Sequence, residues 1–208
     1  MSFHVSHLSE LETIPVGSHG LQWRPIRSRF GITAFGVNAY TAEPGQEVVE
    51  NHTERQYQHE ELYVVVTGRA RFTLDDHEVD APAGTLVHLP DPEVRRSAVA
   101  VDPGTTVLAL GAKRGEPFEP SPWELFFRAG QLEPEEAVRF YQENRGAYPD
   151  HAGVDYNLAC MRALAGDREG AIADLERAFE RSPDEVRTWA KDDSDLDSIR
   201  AEVDAILA

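Results

Sequence analysis

The spacing of hydrophobic residues changes near residue 116, and this change constrains the fold more than any other feature. Before that point, short segments such as Leu62–Val66 and Arg69–Leu74 are rich in β-branched and aromatic residues that alternate between two faces. Turn sequences, among them Thr67-Gly68 and Asp102-Pro103-Gly104, separate these segments at intervals of roughly ten residues. Short strands in this pattern predict a β-sandwich or a β-barrel.

After a proline-rich segment, residues 117–122, the pattern becomes helical. Apolar residues recur there at spacings of three and four, and a similar layout is found 34 residues earlier, with Ala137 matching Ala171 and Tyr141 matching Leu175. A repeat of this length in a helix–turn–helix pattern is typical of stacked helical hairpins. We therefore expect an α+β multidomain protein with a β-barrel over residues 1–116, a linker over 117–122 and helices over 123–208.

The second helical stretch resembles a tetratricopeptide repeat. The resemblance rests on small residues where paired helices approach each other and on a closing proline, at Leu158-Ala159, Ala171, Leu175, Ala178 and Pro183. It implies a short all-α tail of helical hairpins that contacts a protein partner.

The first half resembles a cupin, over about residues 38–113. The matching residues follow the two-part cupin pattern: Pro44-Gly45, His52-Thr53-Glu54, Glu61, Gly68 and Pro82-Ala83-Gly84. The resemblance implies a double-stranded antiparallel β-barrel, or jelly roll, with a metal or small molecule at its mouth. It also implies a homodimer, because many cupins pair through strand exchange.

The cupin metal ligands are only partly present. Glu54 replaces the second His of the first motif, and Val87 stands where the second motif has its His. His88 follows one residue later, and strand alternation directs it to the outer face. A substitute set is His52, His59 and Glu61, with Glu54 as a fourth candidate, because residues two apart in a strand share a face. Iron, manganese or zinc suits these ligands, but we favour a metal-free pocket or barrel.

Two further predictions concern which side chains are buried. Alternation directs one of Arg95 and Arg96 inward, where we expect it to pair with an internal carboxylate such as Glu50 or Glu54. Cys160 falls on the apolar face of a predicted helix and is expected to be a buried hydrophobic residue.

Composition excludes several classes of protein. The formal net charge is −17, which disfavours binding to nucleic acid, and a single cysteine excludes an internal disulfide framework. Residues 1–17 lack the basic and apolar regions of a secretory signal, and the longest strongly apolar run, Leu62–Val66, is far below the roughly 18 residues that span a bilayer. We therefore expect a cytoplasmic protein that does not bind membranes.

Two functions remain open at this point. The first is a small-molecule-binding or regulatory protein, with the ligand in the barrel and a protein partner on the helical tail. The second is a metal-dependent enzyme, an oxygenase, isomerase or epimerase that uses the His/His/Glu site, with Glu54 or Tyr63 as the proton carrier. We favour the first.

Overall fold

The computed structural model describes residues 4–16 and 20–208. The chain divides into two compact units, Met1–Ser121 and Pro122–Ala208. The division falls within the proline-rich segment.

Within its described residues, the first unit has ten β-strands, one short α-helix, α1 (Ile26–Phe30), and a 3-10 turn at Leu8–Glu10. All the strand pairs that the structure describes are antiparallel. The six-stranded sheet has, in spatial order, β1 (Ile14–Val16), β2 (Leu21–Arg24), β3 (Gly36–Ala42), β10 (Thr105–Lys113), β5 (His59–Thr67) and β8 (Leu86–Leu89). The four-stranded sheet has β4 (Glu47–His52), β9 (Arg96–Ala100), β6 (Arg69–Leu74) and β7 (His77–Pro82).

The two sheets enclose the core of this unit. The residues predicted to face inward, Tyr63 and Val65 on β5 and Ala70 and Phe72 on β6, are all buried. The rings of Tyr63 and Phe72 meet across the core at 5.7 Å between centroids. The alternation of apolar residues therefore predicted the inner faces of both strands correctly.

The turn between β5 and β6 requires glycine at residue 68. Gly68 has φ +69°, and a Cβ atom there would lie 2.9 Å from the Cα atom of Thr105. The left-handed conformation and the close backbone approach both exclude a larger residue.

The expected barrel is not closed. Within the described ranges, strand pairing yields two separate sheets with β1, β8, β4 and β7 at their edges. The chain passes from β3 in one sheet to β4 in the other through a turn at residues 43–46, which is held by the amide of Gln46 donating to Glu43 O (3.0 Å). The turn therefore links the two sheets covalently, but no described strand of one sheet forms a hydrogen-bonded ladder with a strand of the other. The prediction of a closed barrel is wrong in this respect.

The second unit is helical. It contains α2 (Trp123–Ala129), α3 (Pro134–Asn144), α4 (Ala152–Leu164), α5 (Arg168–Arg181), α6 (Pro183–Ala190) and α7 (Arg200–Leu207). Each helix from α2 to α7 contacts the next one along the chain, most extensively α4 with α5. Two residue pairs match at an offset of 34 residues, Ala137 with Ala171 and Tyr141 with Leu175. All four residues are buried, on α3 and α5. Cys160 is buried in the core of this unit, as predicted.

No helix among the described residues is long and apolar enough to cross a membrane.

Candidate metal-binding site

Two strands and one loop bring the candidate residues together. His52 ends β4, His59 and Glu61 lie on β5, and the loop from residue 53 to 58 carries Glu54 back toward both. This loop is anchored because the amide of Glu54 donates to Pro92 O at 3.0 Å. Glu54, although it belongs to a polar loop, is therefore directed toward His52 and His59 and not toward solvent.

His52 is oriented by its own strand. Its Nδ1 lies 2.7 Å from Glu50 O, and since a carbonyl oxygen only accepts, Nδ1 carries the proton. In the neutral ring, Nε2 therefore holds the lone pair. That atom lies 3.4 Å from Glu54 Oε1 and 4.0 Å from Glu61 Oε2.

Glu54 lies between two imidazole rings. Its second oxygen, Oε2, is 3.1 Å from His59 Nδ1. The His59 ring is held in turn between Tyr57 (5.7 Å between centroids) and Phe118 (5.9 Å). His59 thus reaches the cluster through Glu54, whereas the ligand atoms of His52, Glu54 and Glu61 all lie within 4.8 Å of one another.

Glu61 points to the interior, as the strand pattern predicted. The Tyr63 hydroxyl donates to Glu61 Oε2 at 2.7 Å, and Arg96 Nε lies 3.5 Å from the same oxygen. The side chain of Arg96 has an exposed fraction of 0% and that of Glu61 11%. Two inward groups therefore hold one oxygen of this carboxylate.

The cluster shifts the pKa values of its members in different directions. Burial opposes ionisation of Glu54, but hydrogen bonds with His52 and His59 outweigh it and lower the pKa of Glu54 to about 2. Burial, reinforced by the charge of Glu54, raises the pKa of Glu61. Burial lowers the pKa of His52, but its bonds to Glu54 and Glu50 O outweigh burial, so the net shift is upward.

Tyr63 behaves as a neutral donor in this cluster. Burial and the adjacent Glu61 carboxylate raise its pKa well above the usual value for a phenol. Its proton therefore stays in the hydrogen bond to Glu61.

His88 lies on the outer face, as predicted. Its neighbours Val87 and Leu89 are buried, and its Nε2 bonds to Glu60 Oε1 at 2.7 Å. Glu60 also accepts from Arg114 Nε at 3.0 Å. Since Glu60 and Glu61 point to opposite sides of β5, they cannot act on one substrate together.

The inward arginine is Arg96, but its partner differs from the expected ones. It approaches Glu61 and not Glu50 or Glu54, while Arg95 donates to Asn51 Oδ1 at 2.8 Å. The register of β4 and β9 is irregular between Val49 and His52, so counting residues along β4 could not identify this pairing. The signal that was available is the alternation of Arg96, Ala98 and Ala100, all of which are buried.

The donor set fits a divalent transition metal. One imidazole nitrogen and two carboxylate oxygens are ligands that manganese, iron and zinc accept. Ligand atoms that share one ion with bonds of about 2.1 Å lie about 3–4 Å apart. The distances from His52 Nε2, 3.4 and 4.0 Å, agree with that spacing.

Several solved structures are similar to about half of this chain. KdgF from Halomonas sp. is 19% identical with a TM-score of 0.45, over 54% of this chain and 95% of that one. A predicted oxalate decarboxylase from Thermotoga maritima is 17% identical with a TM-score of 0.44, over 52% and 97%. A sugar phosphate isomerase from a cupin superfamily, from Silicibacter pomeroyi, is 19% identical with a TM-score of 0.43, over 50% and 73%. No family model and no curated protein matches the chain. Similarity of this degree does not identify a ligand or a reaction for this protein.

Proposed function

We propose that residues 38–113 form a cupin-type binding module that holds one divalent transition metal and binds a small molecule through it. The observation that carries the proposal is the orientation of the His52 imidazole ring. Its Nδ1 is engaged by Glu50 O, and its Nε2 faces the carboxylates of Glu54 and Glu61. An imidazole held by its other nitrogen is the usual arrangement of a metal-ligating histidine. The motif residues that resemble a cupin, and the two antiparallel sheets, support the family assignment.

The residues divide into ligands and supporting groups. His52, Glu54 and Glu61 would hold the ion, and His59 orients Glu54 from the far side. Tyr63 fixes one oxygen of Glu61 by donating to it. A divalent metal at such a site supplies Lewis acidity toward an oxygen atom of a bound molecule.

Titration of the full chain with Mn²⁺ tests this proposal. The free Mn²⁺ concentration, read from its electron paramagnetic resonance signal, is expected to show one bound equivalent per chain. His52→Ala is expected to lower the affinity more than about 100-fold, and His59→Ala about 10-fold, because loss of a supporting residue costs less than loss of a ligand.

His88→Ala is the matched control, since His88 is also paired with a glutamate but on the outer face. Its affinity for Mn²⁺ is expected to equal that of the unchanged chain. Equal affinities for all four proteins would reject the site.

A metal-free pocket is the second candidate, and one observation favours it. Arg96 already places a fixed positive charge beside Glu61, so the cluster holds a counter-ion of its own. In this alternative, the pocket binds its small molecule without a metal. Elemental analysis separates the two candidates: less than about a tenth of an equivalent of any transition metal, unchanged by soaking, supports the metal-free pocket.

An enzymatic role is a further form of the proposal, as an oxygenase, isomerase or epimerase. Within it, the raised pKa of Tyr63 keeps the phenol protonated, which suits it to donate a hydrogen bond to a bound molecule. The pKa of Glu54, about 2, keeps that carboxylate ionised and makes it a weak base, so neither residue has a pKa matched to proton transfer near neutral pH.

The helical unit completes the proposal as a tetratricopeptide-like region that binds a protein. Its support is the equivalence of α3 and α5 at an offset of 34 residues and the contact of each helix with the next one along the chain. Short stacks of helical hairpins commonly present a surface to peptides.

A further inference from the structure

We infer that Arg96 fixes the net charge of the metal site, so that the loaded site selects a small oxygen ligand with a single negative charge, such as a monocarboxylate. This inference rests on the proposed metal site. It adds the class of ligand, which the metal ligands alone leave open.

Arg96 is a permanent charge inside the first unit. Its side chain has an exposed fraction of 0%, and it lies on β9 opposite His52 in the register of the four-stranded sheet. A guanidinium does not lose its proton in a protein, and charges that are shielded from water interact strongly over several ångströms. The charge of Arg96 is therefore part of the site whatever else binds there.

The partners of Arg96 within the unit only partly compensate it. Its Nε is 3.5 Å from Glu61 Oε2, and its Nη1 donates to Pro92 O at 3.5 Å. Among the described residues, Nη2 has no hydrogen-bond partner. A buried guanidinium with this few contacts retains attraction for another anion.

The charges around the site can be counted from the structure. The inward carboxylates are Glu54 and Glu61, and Tyr63 is an uncharged donor. Glu60 lies on the outer face with His88 and Arg114, and Arg95 is bonded to Asn51. With His52 neutral, as it must be to bind the ion, two negative charges and one positive charge leave the cluster with a single negative charge, and a divalent ion converts that into a single positive charge.

A net charge in a buried site is costly unless a ligand compensates it. A monoanion neutralises the loaded site, whereas a neutral ligand leaves one positive charge and a dianion leaves one negative charge. Selectivity by charge is thus expected to be strongest for the monoanion.

Three compounds with one carbon skeleton test this selectivity. Malonamide is neutral, malonamate carries one negative charge and malonate carries two. Each is titrated into the full chain loaded with Mn²⁺, and binding is read from the fall in water-proton relaxation as bound water is displaced. Malonamate is expected to bind at least about tenfold more tightly than either of the other two. Tighter binding of malonamide, or equal binding of all three, would overturn the inference.

Variants of Arg96 connect the selectivity to this residue. Arg96→Lys keeps the charge and is expected to keep the preference for malonamate. Arg96→Met removes the charge at similar length and is expected to shift the preference to malonamide, with malonamate weakened at least about tenfold. If Arg96→Met does not fold, the three-compound series on the unchanged chain and on Arg96→Lys still decides, and loss of the preference in Arg96→Lys counts against the inference.

The two levels of the proposal fail in different ways. An unchanged chain that binds no Mn²⁺ overturns both the metal site and the inference. A chain that binds one Mn²⁺ but does not prefer malonamate overturns the inference alone.

Discussion

At the scale of single residues, a proton and a metal ion compete for one atom, Nε2 of His52. The carboxylates of Glu54 and Glu61 attract either one, because both lie within 4.0 Å of that nitrogen. The bond from Nδ1 to Glu50 O keeps the ring in place in both states.

This competition predicts how metal binding depends on pH. Hydrogen bonds to Glu54 and Glu50 O outweigh burial and raise the pKa of His52 above its ordinary value, while the pKa of Glu54, at about 2, leaves that carboxylate ionised throughout the neutral range. Below the pKa of His52, Mn²⁺ binding must therefore release the proton of that ring, and the affinity is expected to fall about tenfold per pH unit there. Calorimetric titrations in buffers of different ionisation enthalpy measure the released proton.

The pH dependence is expected to have its midpoint above the ordinary pKa of a histidine, because the pKa of His52 is raised. An affinity that is constant between pH 6 and pH 8 would contradict the role of His52 as a ligand.

The residue pattern predicted the site only where the strands are regular. Alternation along β5 and β8 correctly predicted that Glu61 faces the core and His88 faces outward, because regular pairing preserves the two faces. It did not predict that Glu54 groups with His52 and Glu61 while His59 contacts only Glu54 among them. The position of Glu54 depends on the path of the loop from residue 53 to 58, which strand alternation does not determine. The partner of Arg96 was also missed, because the register of β4 and β9 is irregular near His52.

At the scale of elements, buried ion pairs connect the helices of the second unit. Asp155 on α4 and Asp174 on α5 have side chains with exposed fractions of 4% and 1%. Arg162 Nε on α4 lies 2.8 Å from Asp174 Oδ2, and Arg177 on α5 pairs with the same carboxylate. Arg181 on α5 pairs with Asp155, so the charges run across the α4–α5 interface in both directions.

Asp174→Asn tests the contribution of this network. The substitution leaves Arg145, Arg162 and Arg177 without their shared carboxylate. We expect it to lower the free energy of unfolding of the helical unit by about 2 kcal/mol, less than for fully buried pairs because all three arginines are partly exposed. Urea denaturation followed by helical circular dichroism measures this change.

Asp184→Asn is the control for the same unit. Asp184 also pairs with an arginine, Arg187, but its side chain is fully exposed. No measurable change is expected for this variant, because exposed ion pairs contribute little. Equal effects of the two substitutions would show that burial is not what gives the network its importance.

The sequence predicted the helices of the second unit better than the arrangement of the strands in the first. The helices of the second unit were predicted from apolar residues at spacings of three and four, and the paired positions of α3 and α5 are buried, whereas the helical repeat stays a prediction. The open arrangement of the two sheets was not predicted, because the pattern of one strand does not reveal which strands pair at the sheet edges.

At the scale of the whole molecule, the edge of the six-stranded sheet is suited to self-association. β8 is the terminal strand of that sheet, and Leu86 on it has an exposed fraction of 64%. An exposed edge strand with a large apolar side chain is a common site of pairing.

Light scattering tests the expected homodimer. The mass is expected to be twice 23.2 kDa at moderate ionic strength, where screening weakens the repulsion from a net charge of −17. Leu86→Lys is expected to restore the single-chain mass, whereas Thr73→Lys, on β6 of the other sheet, is not. A single-chain mass for the unchanged protein would contradict the dimer.

Anomalous X-ray scattering from crystals grown with Mn²⁺ tests the central claim most directly, because it locates the ion independently of any activity. The account predicts one peak at bonding distance from His52 Nε2 and from the carboxylates of Glu54 and Glu61. Crystals that show no peak at these three residues, or a peak only elsewhere on the protein, would contradict it.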